Sequence, residues 1–392
     1  MSRPLVRAVT GAAALAVAMG VGRFAYTALL PSLQRGLGFD DAAAGGIASA
    51  NLAGYLAGVL LAREAAARPG RRLLLRAGLV ASVLTTAAVA GATGLAAWVP
   101  LRFLSGVASG LVFVLVSTAV LEALPPGREH LAGVLYAGVG CGIALSGALA
   151  AGTAGAAWSV PWLVLGALSA ALAAPSWGLD RAARGARPAP PPPGGHGSVS
   201  LGRLGVAYFL EGLGYIVSGT FAVAAVQRSP GLEAWAPWVW VAAGLAAAPS
   251  ALVWTGVARR IGQRSALVAA FVAQAAGMSL PALSPSAWAA MAGALLFGGT
   301  FMGITTVTLS LGRRLHPGRD GRVIGTLTML YGIGQALGPF LAGVLSRATG
   351  GPRAAVLAAS VAVGLGGVLL ALRPLRSPLS PQLTSQEERC RT

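Results

Sequence analysis

Charged residues are scarce in this chain, and lysine is missing altogether. Only 10% of the 392 residues are charged, with 29 basic side chains, all of them arginine, and 11 acidic ones. Hydrophobic residues make up 55% of the chain, and the mean hydropathy is +0.72. Soluble globular domains carry about 25% charged residues, so this composition excludes an ordinary soluble domain and indicates a polytopic membrane protein.

Cysteine and histidine are also rare, which restricts the chemistry open to the chain. Cys141 lies in an apolar run and Cys390 in a polar tail, so a disulfide between them is not expected. The three histidines, His130, His196 and His316, fall in polar segments, and no GxxxxGK[ST] phosphate-binding motif occurs. We therefore expect no metal, no cofactor and no ATP-driven step.

Apolar segments recur along nearly the whole chain, each long enough to cross ~30 Å of hydrocarbon as a helix. The first continues to Pro31, which is too long for a signal peptide, so an uncleaved first span is expected. The pattern predicts an all-α integral membrane protein with twelve transmembrane helices, at residues 9–30, 42–62, 73–94, 98–121, 131–151, 158–175, 201–227, 236–258, 266–283, 287–311, 323–345 and 354–372.

One stretch rich in proline and glycine, RAARGARPAPPPPGGHGSVS, separates the first six spans from the last six. Such a composition prevents packing and is typical of a flexible linker. The sequence therefore predicts an N-terminal six-helix half at residues 1–178, a cytoplasmic linker at 179–200, a C-terminal six-helix half at 201–376 and a cytoplasmic tail at 377–392.

Arginine is distributed unevenly over the loops. If both termini are cytoplasmic, the loops on the opposite side hold only Arg35, Arg228, Arg347 and Arg353. Positive residues concentrate on the cytoplasmic side of membrane proteins, so both termini are expected inside. The same distribution accounts for the net charge of +18 through loop arginines, and nucleic acid is not an expected partner.

An internal repeat supports the division into two halves. The segment GVGRFAYTALL at 20–30 aligns without gaps on GLGYIVSGTFA at 212–222, which is 192 residues later. The same shift pairs GVLYAGVGCGIALSGALA from residue 133 with GTLTMLYGIGQALGPFLA from residue 325. Spans 1 and 7, and spans 5 and 11, are thus equivalent helices of two halves with parallel topology. Transporters built in this way bind their substrate between the halves, near the membrane midplane.

Several motifs resemble those of the major facilitator superfamily over essentially the whole chain. The loop GVARRIGQR from residue 256 is similar to the superfamily's cytoplasmic arginine motif, with Arg259 in the place of its acid, and LRFLSGVASG from residue 101 resembles the fourth-span motif of proton-coupled members. The segments GRFAYTALLPSL, ANLAGYLAG and YFLEGLGYIVSGTF resemble the bacterial YbfB/YjiJ-type branch. The resemblance implies a transporter of the bacterial inner membrane whose spans 1 and 7 face each other across a central cavity.

Three charged residues fall well inside the predicted spans: Arg23, Arg102 and Glu211. Each costs about 2.5–3.5 kcal/mol at the centre of a membrane helix, so each should face protein or water. The repeat places Arg23 level with Tyr215 and one turn away from Glu211. With spans 1 and 7 face to face, as the resemblance implies, Arg23 and Glu211 are expected to form an ion pair in one state of the transport cycle.

Each of these charges has two interpretations. Arg23 binds an anionic solute through its planar guanidinium, or it is a structural residue bonded to Glu211 or to backbone carbonyls. Glu211 takes up the coupled proton, or it is a fixed counter-ion. Arg102 lies near the outer end of span 4, so its side chain is expected to reach the surface, although the motif resemblance implies a part in coupling.

Uncharged polar residues within the spans complete the predicted substrate and coupling cavity. Asn51 and Tyr55 share one face of span 2, and Tyr331 and Gln335 share one face of span 11. Such side chains either hold helices together or contact the solute. The predicted cavity residues are Arg23, Tyr26, Asn51, Tyr55, Arg102, Glu211, Tyr215, Tyr331 and Gln335. The predicted cytoplasmic gate loops contribute Glu64, Arg71, Arg72, Arg259, Arg260 and Arg264.

The sequence predicts a secondary active transporter of a small organic solute, with an anionic or zwitterionic solute preferred because Arg23 is the cation of the cavity. Alternating access between the two halves and coupling to H+ are expected. The chain is expected to be a monomer in the lipid bilayer and not an enzyme. Two alternatives stay open: a polytopic membrane enzyme, for which no histidine lies in any span, and a transport-inactive sensor or scaffold.

Overall fold

Helices form all the regular structure in the part of the chain that the structure describes. The structure is a computed structural model, and it describes residues 3–65, 70–125, 128, 131–181, 200–315 and 320–372. Within these residues, twelve helices are long and apolar enough to cross a membrane. We number them α1 Arg3–Leu37, α2 Asp41–Ala65, α3 Arg71–Ala88, α4 Leu95–Leu121, α5 Leu131–Gly152, α6 Val160–Ala173, α7 Leu201–Gln227, α8 Ala236–Ile261, α9 Gln263–Leu283, α10 Ala287–Leu315, α11 Asp320–Thr349 and α12 Arg353–Ala371.

All twelve predicted spans are confirmed as helices, with ends that shift by a few residues. The first differs most, because its polar flanks remain helical and α1 runs from Arg3 to Leu37 instead of over 9–30. Residues 182–199 of the predicted linker and residues 373–392, which include the predicted tail, lie outside the described residues. The predicted boundary between the halves therefore stays a prediction.

Glycines bring helices into backbone contact within each half. A Cβ on Gly106 of α4 would collide with the carbonyl of Asn51 in α2, and one on Gly110 would collide with the carbonyl of Tyr55. On α5, Gly142 lies against Ala16 of α1, and the equivalent Gly334 of α11 lies against Phe209 of α7. Small residues at such spacing permit close helix packing in membranes.

The main contacts between α1–α6 and α7–α12 are those of α1 with α7, α2 with α11, and α5 with α8, and α1 also touches α8. Two contacts in the first pair link residues that are equivalent in the repeat. Arg23 donates to the hydroxyl of Tyr215, and Thr27 donates to the carbonyl of Gly219, each 192 residues apart. Equivalent residues of α1 and α7 therefore lie at the same height where the two halves meet.

Ion pairs join the halves on one face of the bundle. Because the number of spans is even, the start of α1 and the end of α12 lie on one face, which we call the termini face, and the other is the opposite face. On the opposite face, the Arg228 guanidinium donates to both carboxylate oxygens of Asp41, at 2.7 and 2.6 Å, and to Gln34 at 3.1 Å. The Asp41 hydrogen bonds raise the pKa of Arg228. A second pair, Arg347 with Asp40, spans 3.5 Å.

Candidate functional site

Helix α1 is interrupted at the level where the two halves meet. Residues Ala16–Val21 form a π-helical segment, and residues 22–24 form turns before regular helix resumes at Ala25. Backbone bonds there skip five residues, from the Gly22 amide to the Val17 carbonyl at 2.8 Å and from the Phe24 amide to the Met19 carbonyl at 3.1 Å. Interrupted membrane helices expose backbone groups at binding sites, and the interruption here surrounds Arg23.

Arg102 holds this interruption from α4. Its guanidinium donates to the carbonyls of Gly22 at 2.7 Å and Arg23 at 3.0 Å, and Ser105 donates to the Gly22 carbonyl at 2.9 Å. The expectation that Arg102 reaches the surface is wrong, since the residue is 2% exposed. The reason is that α4 begins at Leu95, which places Arg102 two turns inside the helix on its packed face.

Arg23 lies between the halves, and its side chain is 6% exposed. The guanidinium carbon lies 4.5 Å from the ring centre of Tyr55 and 5.0 Å from that of Phe24. One terminal nitrogen, Nη2, donates to the Tyr215 hydroxyl at 3.2 Å, while Nε has no hydrogen-bond partner. Within the described residues no carboxylate lies at ion-pair distance from Arg23. A buried cation is therefore left without a compensating negative charge.

The expected ion pair between Arg23 and Glu211 is absent from this conformation. Arg23 meets Tyr215 instead, because the parallel halves bring equivalent residues to the same height and leave Glu211 one turn away. Glu211 is fully buried and accepts a hydrogen bond from Gln274 of α9 at 2.7 Å. Gln274 in turn accepts one from Thr300 of α10 at 2.8 Å. The second carboxylate oxygen of Glu211, Oε2, has no partner.

The other predicted cavity residues divide into two groups. Asn51 donates to the Arg102 carbonyl at 2.9 Å and Tyr26 to the Ala44 carbonyl at 3.1 Å, so both bind helix backbones together. Gln335 and Tyr331 belong to the centre: Gln335 donates to the Tyr215 hydroxyl at 2.5 Å, and its Oε1 has no partner.

Aromatic rings form a near-parallel stack beside Arg23. Tyr331 lies 5.6 Å from Tyr215 at an interplanar angle of 7°, and Phe301 lies 5.7 Å from Tyr215 at 8°. Tyr208 continues the stack on Tyr331 at 4.3 Å and 12°. The sequence interpretation included Tyr215 and Tyr331 and missed Tyr208 and Phe301. Their shared position could not be read from one helix, since the stack is built from α7, α10 and α11.

Two further residues, Gln274 and Thr300, were also missed by the sequence interpretation. Gln274 interrupts the apolar run VAAFVAQAAGM, which was a usable signal, because a glutamine inside a span needs a polar partner. Thr300 carried no such signal, since threonines in membrane helices commonly bond to their own backbone. Thr300 does that too, at 2.7 Å to Leu296.

Two of the predicted gate residues bind partners outside the predicted set. Arg71 pairs with Glu122 at 3.3 Å, and Arg264 donates to the carbonyls of Leu370 and Ala371 at 2.7 and 2.8 Å. The remaining gate residues lie near the termini face, with Arg72 partly buried and Glu64, Arg259 and Arg260 exposed. Among the described residues, no cluster of three or more histidine, cysteine or acidic side chains that could hold a metal ion is present.

Comparison with known proteins identifies the fold. A family model described as the uncharacterised MFS-type transporter YbfB matches residues 15–371. The chain belongs to this family of the major facilitator superfamily. A comparison with curated proteins finds no match.

Solved major facilitator structures share the architecture. The nucleoside transporter NupG superposes with a TM-score of 0.73 at 13% identity, covering 94% of this chain and 98% of its own. A D-xylose-proton symporter gives 0.72 at 14%, covering 93% and 96%. A bacterial homolog of the human lysosomal transporter Spinster, in an inward-facing and unoccupied conformation, gives 0.71 at 15%, covering 94% and 97%. At these identities the likeness establishes the fold and leaves the solute open.

Proposed function

We propose that this transporter carries an anionic or zwitterionic organic solute, that H+ drives it, and that it works by alternating access between α1–α6 and α7–α12. The observation that carries the proposal is that Arg23 is buried with incomplete hydrogen bonding and no ion-pair partner among the described residues. Its guanidinium lies buried where the halves meet, keeps Nε free of protein partners and has no carboxylate at ion-pair distance within the described residues. A buried uncompensated cation is costly, and a bound carboxylate or phosphate would offset that cost.

A second buried arginine, Arg102, makes the electrostatic potential around Arg23 more positive. Arg102 is also buried and bonds to the backbone carbonyl of Arg23, so two guanidinium groups lie close to the interruption of α1. The buried acid one turn away on α7, Glu211, makes no ion pair with either arginine and bonds to Gln274 instead. The centre is therefore electropositive, which favours a solute with a negative group and disfavours a cation.

The test begins with purified protein and a panel of organic acids, amino acids, sugars and organic amines, scored by the rise in unfolding temperature. We expect the compounds that stabilise the protein to carry a carboxylate or phosphate. Arg23→Ala should remove the stabilisation, and Arg35→Ala, an exposed arginine further along α1, should retain it. Stabilisation only by neutral or cationic compounds, equal in Arg23→Ala and wild type, would contradict the anion proposal.

Glu211 is the residue that we propose for proton coupling. An ionised carboxylate that is fully buried with one neutral donor is unfavourable, and a proton on the unpartnered Oε2 removes the charge. The residue lies one turn from Tyr215, which bonds to Arg23 across the halves. A proton on Glu211 and a solute that displaces Tyr215 from Arg23 would thus act on neighbouring turns of α7.

Coupling can be measured in proteoliposomes loaded with a pH-sensitive dye. Addition of a solute identified by the stability screen should move protons with it in wild type. Glu211→Gln should still exchange labelled for unlabelled solute while losing its response to an imposed pH gradient. Glu233→Gln, an exposed glutamate on the opposite face, serves as the matched control. A Glu211→Gln variant that responds to the gradient like wild type would defeat the coupling role.

The proposal also covers the orientation, the membrane and the oligomeric state of the chain. Arginine asymmetry supports cytoplasmic termini, which makes the ion-paired opposite face the outer one. The branch resemblance supports the bacterial inner membrane, and a monomer is proposed because one chain supplies both halves of the site. Protease or label accessibility of the termini in sealed vesicles tests the orientation.

A further inference from the structure

The aromatic stack at the centre of the molecule can offer flat aromatic surface to a solute. Tyr331, Tyr215 and Phe301 follow one another with interplanar angles of 7° and 8°, all on the C-terminal half. Phe24 of α1, on the other half, meets Phe301 at 64° with ring centres 6.1 Å apart. Because this contact joins the two halves, their separation withdraws Phe24 and uncovers a face of flat aromatic surface. Such a surface favours a planar ring, through offset stacking, over a puckered aliphatic one.

The two side chains that bond to the Tyr215 hydroxyl each keep a polar atom without a hydrogen-bond partner, one of them a donor and the other an acceptor. Arg23 and Gln335 both donate to the Tyr215 oxygen, at 3.2 and 2.5 Å. Each keeps one buried atom without a partner: the Nε donor of Arg23 and the Oε1 acceptor of Gln335. Both side chains are more than nine-tenths buried. Buried polar groups are almost always hydrogen-bonded, so an unpaired donor and acceptor this close together point to a ligand with an acceptor and a donor.

From these contacts we infer that the solute is an aromatic carboxylate that also carries a hydrogen-bond donor, such as a ring hydroxyl or amine. The inference rests on the proposed function, since it names the solute of the same Arg23 site. The carboxylate replaces the Tyr215 hydroxyl on Arg23 when the halves part, and the ring stacks on Phe301, the end of the stack that Phe24 leaves. The donor of the solute bonds to Oε1 of Gln335.

Matched small acids test each feature on the full-length wild-type protein by titration calorimetry. Benzoate and cyclohexanecarboxylate share a carboxylate and nearly the same size, and they differ in ring planarity. The three hydroxybenzoates and their methoxy counterparts differ in whether the substituent donates. We expect benzoate to bind about fivefold more tightly than cyclohexanecarboxylate. One hydroxybenzoate isomer should bind about tenfold more tightly than its methoxy counterpart.

Variants assign these preferences to residues. Phe301→Leu should bring the benzoate to cyclohexanecarboxylate ratio close to one, while Phe271→Leu, the same change at a buried ring outside the stack, should leave it near fivefold. Gln335→Leu should remove the hydroxyl preference and keep the binding of benzoate. These ratios compare ligands on one variant, so a loss of stability alone does not change them.

The outcomes separate this inference from the function on which it rests. Equal binding of benzoate and cyclohexanecarboxylate, both lost in Arg23→Ala, would overturn the aromatic solute and leave the anion site intact. Preferences that persist in Phe301→Leu and Gln335→Leu would overturn the assignment to these residues. No binding of any carboxylate, with binding of a neutral or cationic solute, would overturn the anion site and the inference together.

Discussion

At the scale of single residues, the centre is defined by two buried arginines with different partners. Arg102 donates to two backbone carbonyls, whereas Arg23 makes one hydrogen bond to Tyr215 and leaves Nε unpaired. The carbonyls occupy both terminal nitrogens of Arg102, while its Nε, like that of Arg23, has no hydrogen-bond partner. Arg23 makes fewer hydrogen bonds and lies where the halves meet, so it is the arginine with more capacity for a solute.

Replacing Arg102 should destabilise the interruption of α1. Arg102→Met keeps most of the side-chain volume but leaves the carbonyls of Gly22 and Arg23 without their donor. We expect a loss of about 2–4 kcal/mol, since each bond from a charged donor contributes about 1.5–3 kcal/mol. Thermal unfolding in detergent measures it, with exposed Arg35→Met as the control. Equal unfolding temperatures for Arg102→Met and wild type would show that the hydrogen bonds from Arg102 to these carbonyls are not needed for stability.

The burial of the charged residues could be predicted from the sequence in part, and their partners could not. Charge inside an apolar span is sufficient to place Arg23 and Glu211 in the protein interior, and both are buried. The partner of Arg23 could not be predicted, because the choice between Glu211 and Tyr215 depends on relative height, which only the packing of α1 on α7 fixes. For Arg102, an error of three residues in the start of α4 changed the expected environment from surface to core.

At the scale of helices, contact through glycine determines which elements share the centre. Helices α2 and α4 approach through Gly106 and Gly110, where an added Cβ would strike backbone atoms of Asn51 and Tyr55. This close packing carries the Arg102 side chain to α1 and the Tyr55 ring to Arg23. The site therefore depends on the α2–α4 contact.

A methyl group at this contact should push α2 and α4 apart. Gly106→Ala should cost about 1–3 kcal/mol by overpacking and lower the unfolding temperature. Gly46→Ala on α2 is the matched control, because its Cβ would meet no atom within 4 Å and alanine favours helix. Scanning calorimetry of both variants compares them. A Gly106→Ala variant as stable as Gly46→Ala would contradict the tight packing.

The glycine contacts were predictable from small residues at four-residue spacing, and the helix interruption was not. The segment MGVGRF contains no proline, and Pro31, which does occur in α1, lies within regular helix. The interruption becomes favourable because side chains of α4 bind the carbonyls of residues 22 and 23, an interaction between segments about 80 residues apart. The helix propensity of the local sequence does not include the energy of these long-range hydrogen bonds.

At the scale of the whole molecule, two ion pairs close the opposite face. The Asp41 carboxylate is nearly buried and binds Arg228 through both oxygens, joining α2 to the end of α7. Arg347 and Asp40 form a second pair that is largely exposed. Exposed pairs contribute little, so the Asp41 pair should dominate the closure. In the alternating access proposed above, opening of this face would break the Asp41 pair.

Removing the Asp41 charge should therefore favour the form that is open on the opposite face. Asp41→Asn should shift the equilibrium roughly fivefold, corresponding to about 1 kcal/mol. Spin labels at Arg35→Cys and Ala348→Cys, with Cys141 and Cys390 replaced by alanine, report the distance between the halves on this face. We expect a longer distance to gain population in Asp41→Asn and not in Glu233→Gln. Identical distance distributions would contradict the closing role.

The twelve spans and the internal repeat were predictable, since hydropathy and a fixed 192-residue shift are properties of the chain itself. The contacts between the halves were not, because Asp41 and Arg228 lie 187 residues apart at the ends of two helices whose relative positions follow from packing. The aromatic stack likewise combines three helices that no local pattern connects.

The central claim is that Arg23 binds a negatively charged solute between the halves. Its most direct test is the dissociation constant of the best-binding organic anion, measured by titration calorimetry on wild type, Arg23→Lys and Arg23→Ala. Truncation of a buried charged partner costs about 2–5 kcal/mol, so Arg23→Ala should bind at least 30-fold more weakly. Arg23→Lys, which keeps the charge without the planar fork, should lie between the two. An Arg23→Ala variant that binds the anion within twofold of wild type would contradict the account.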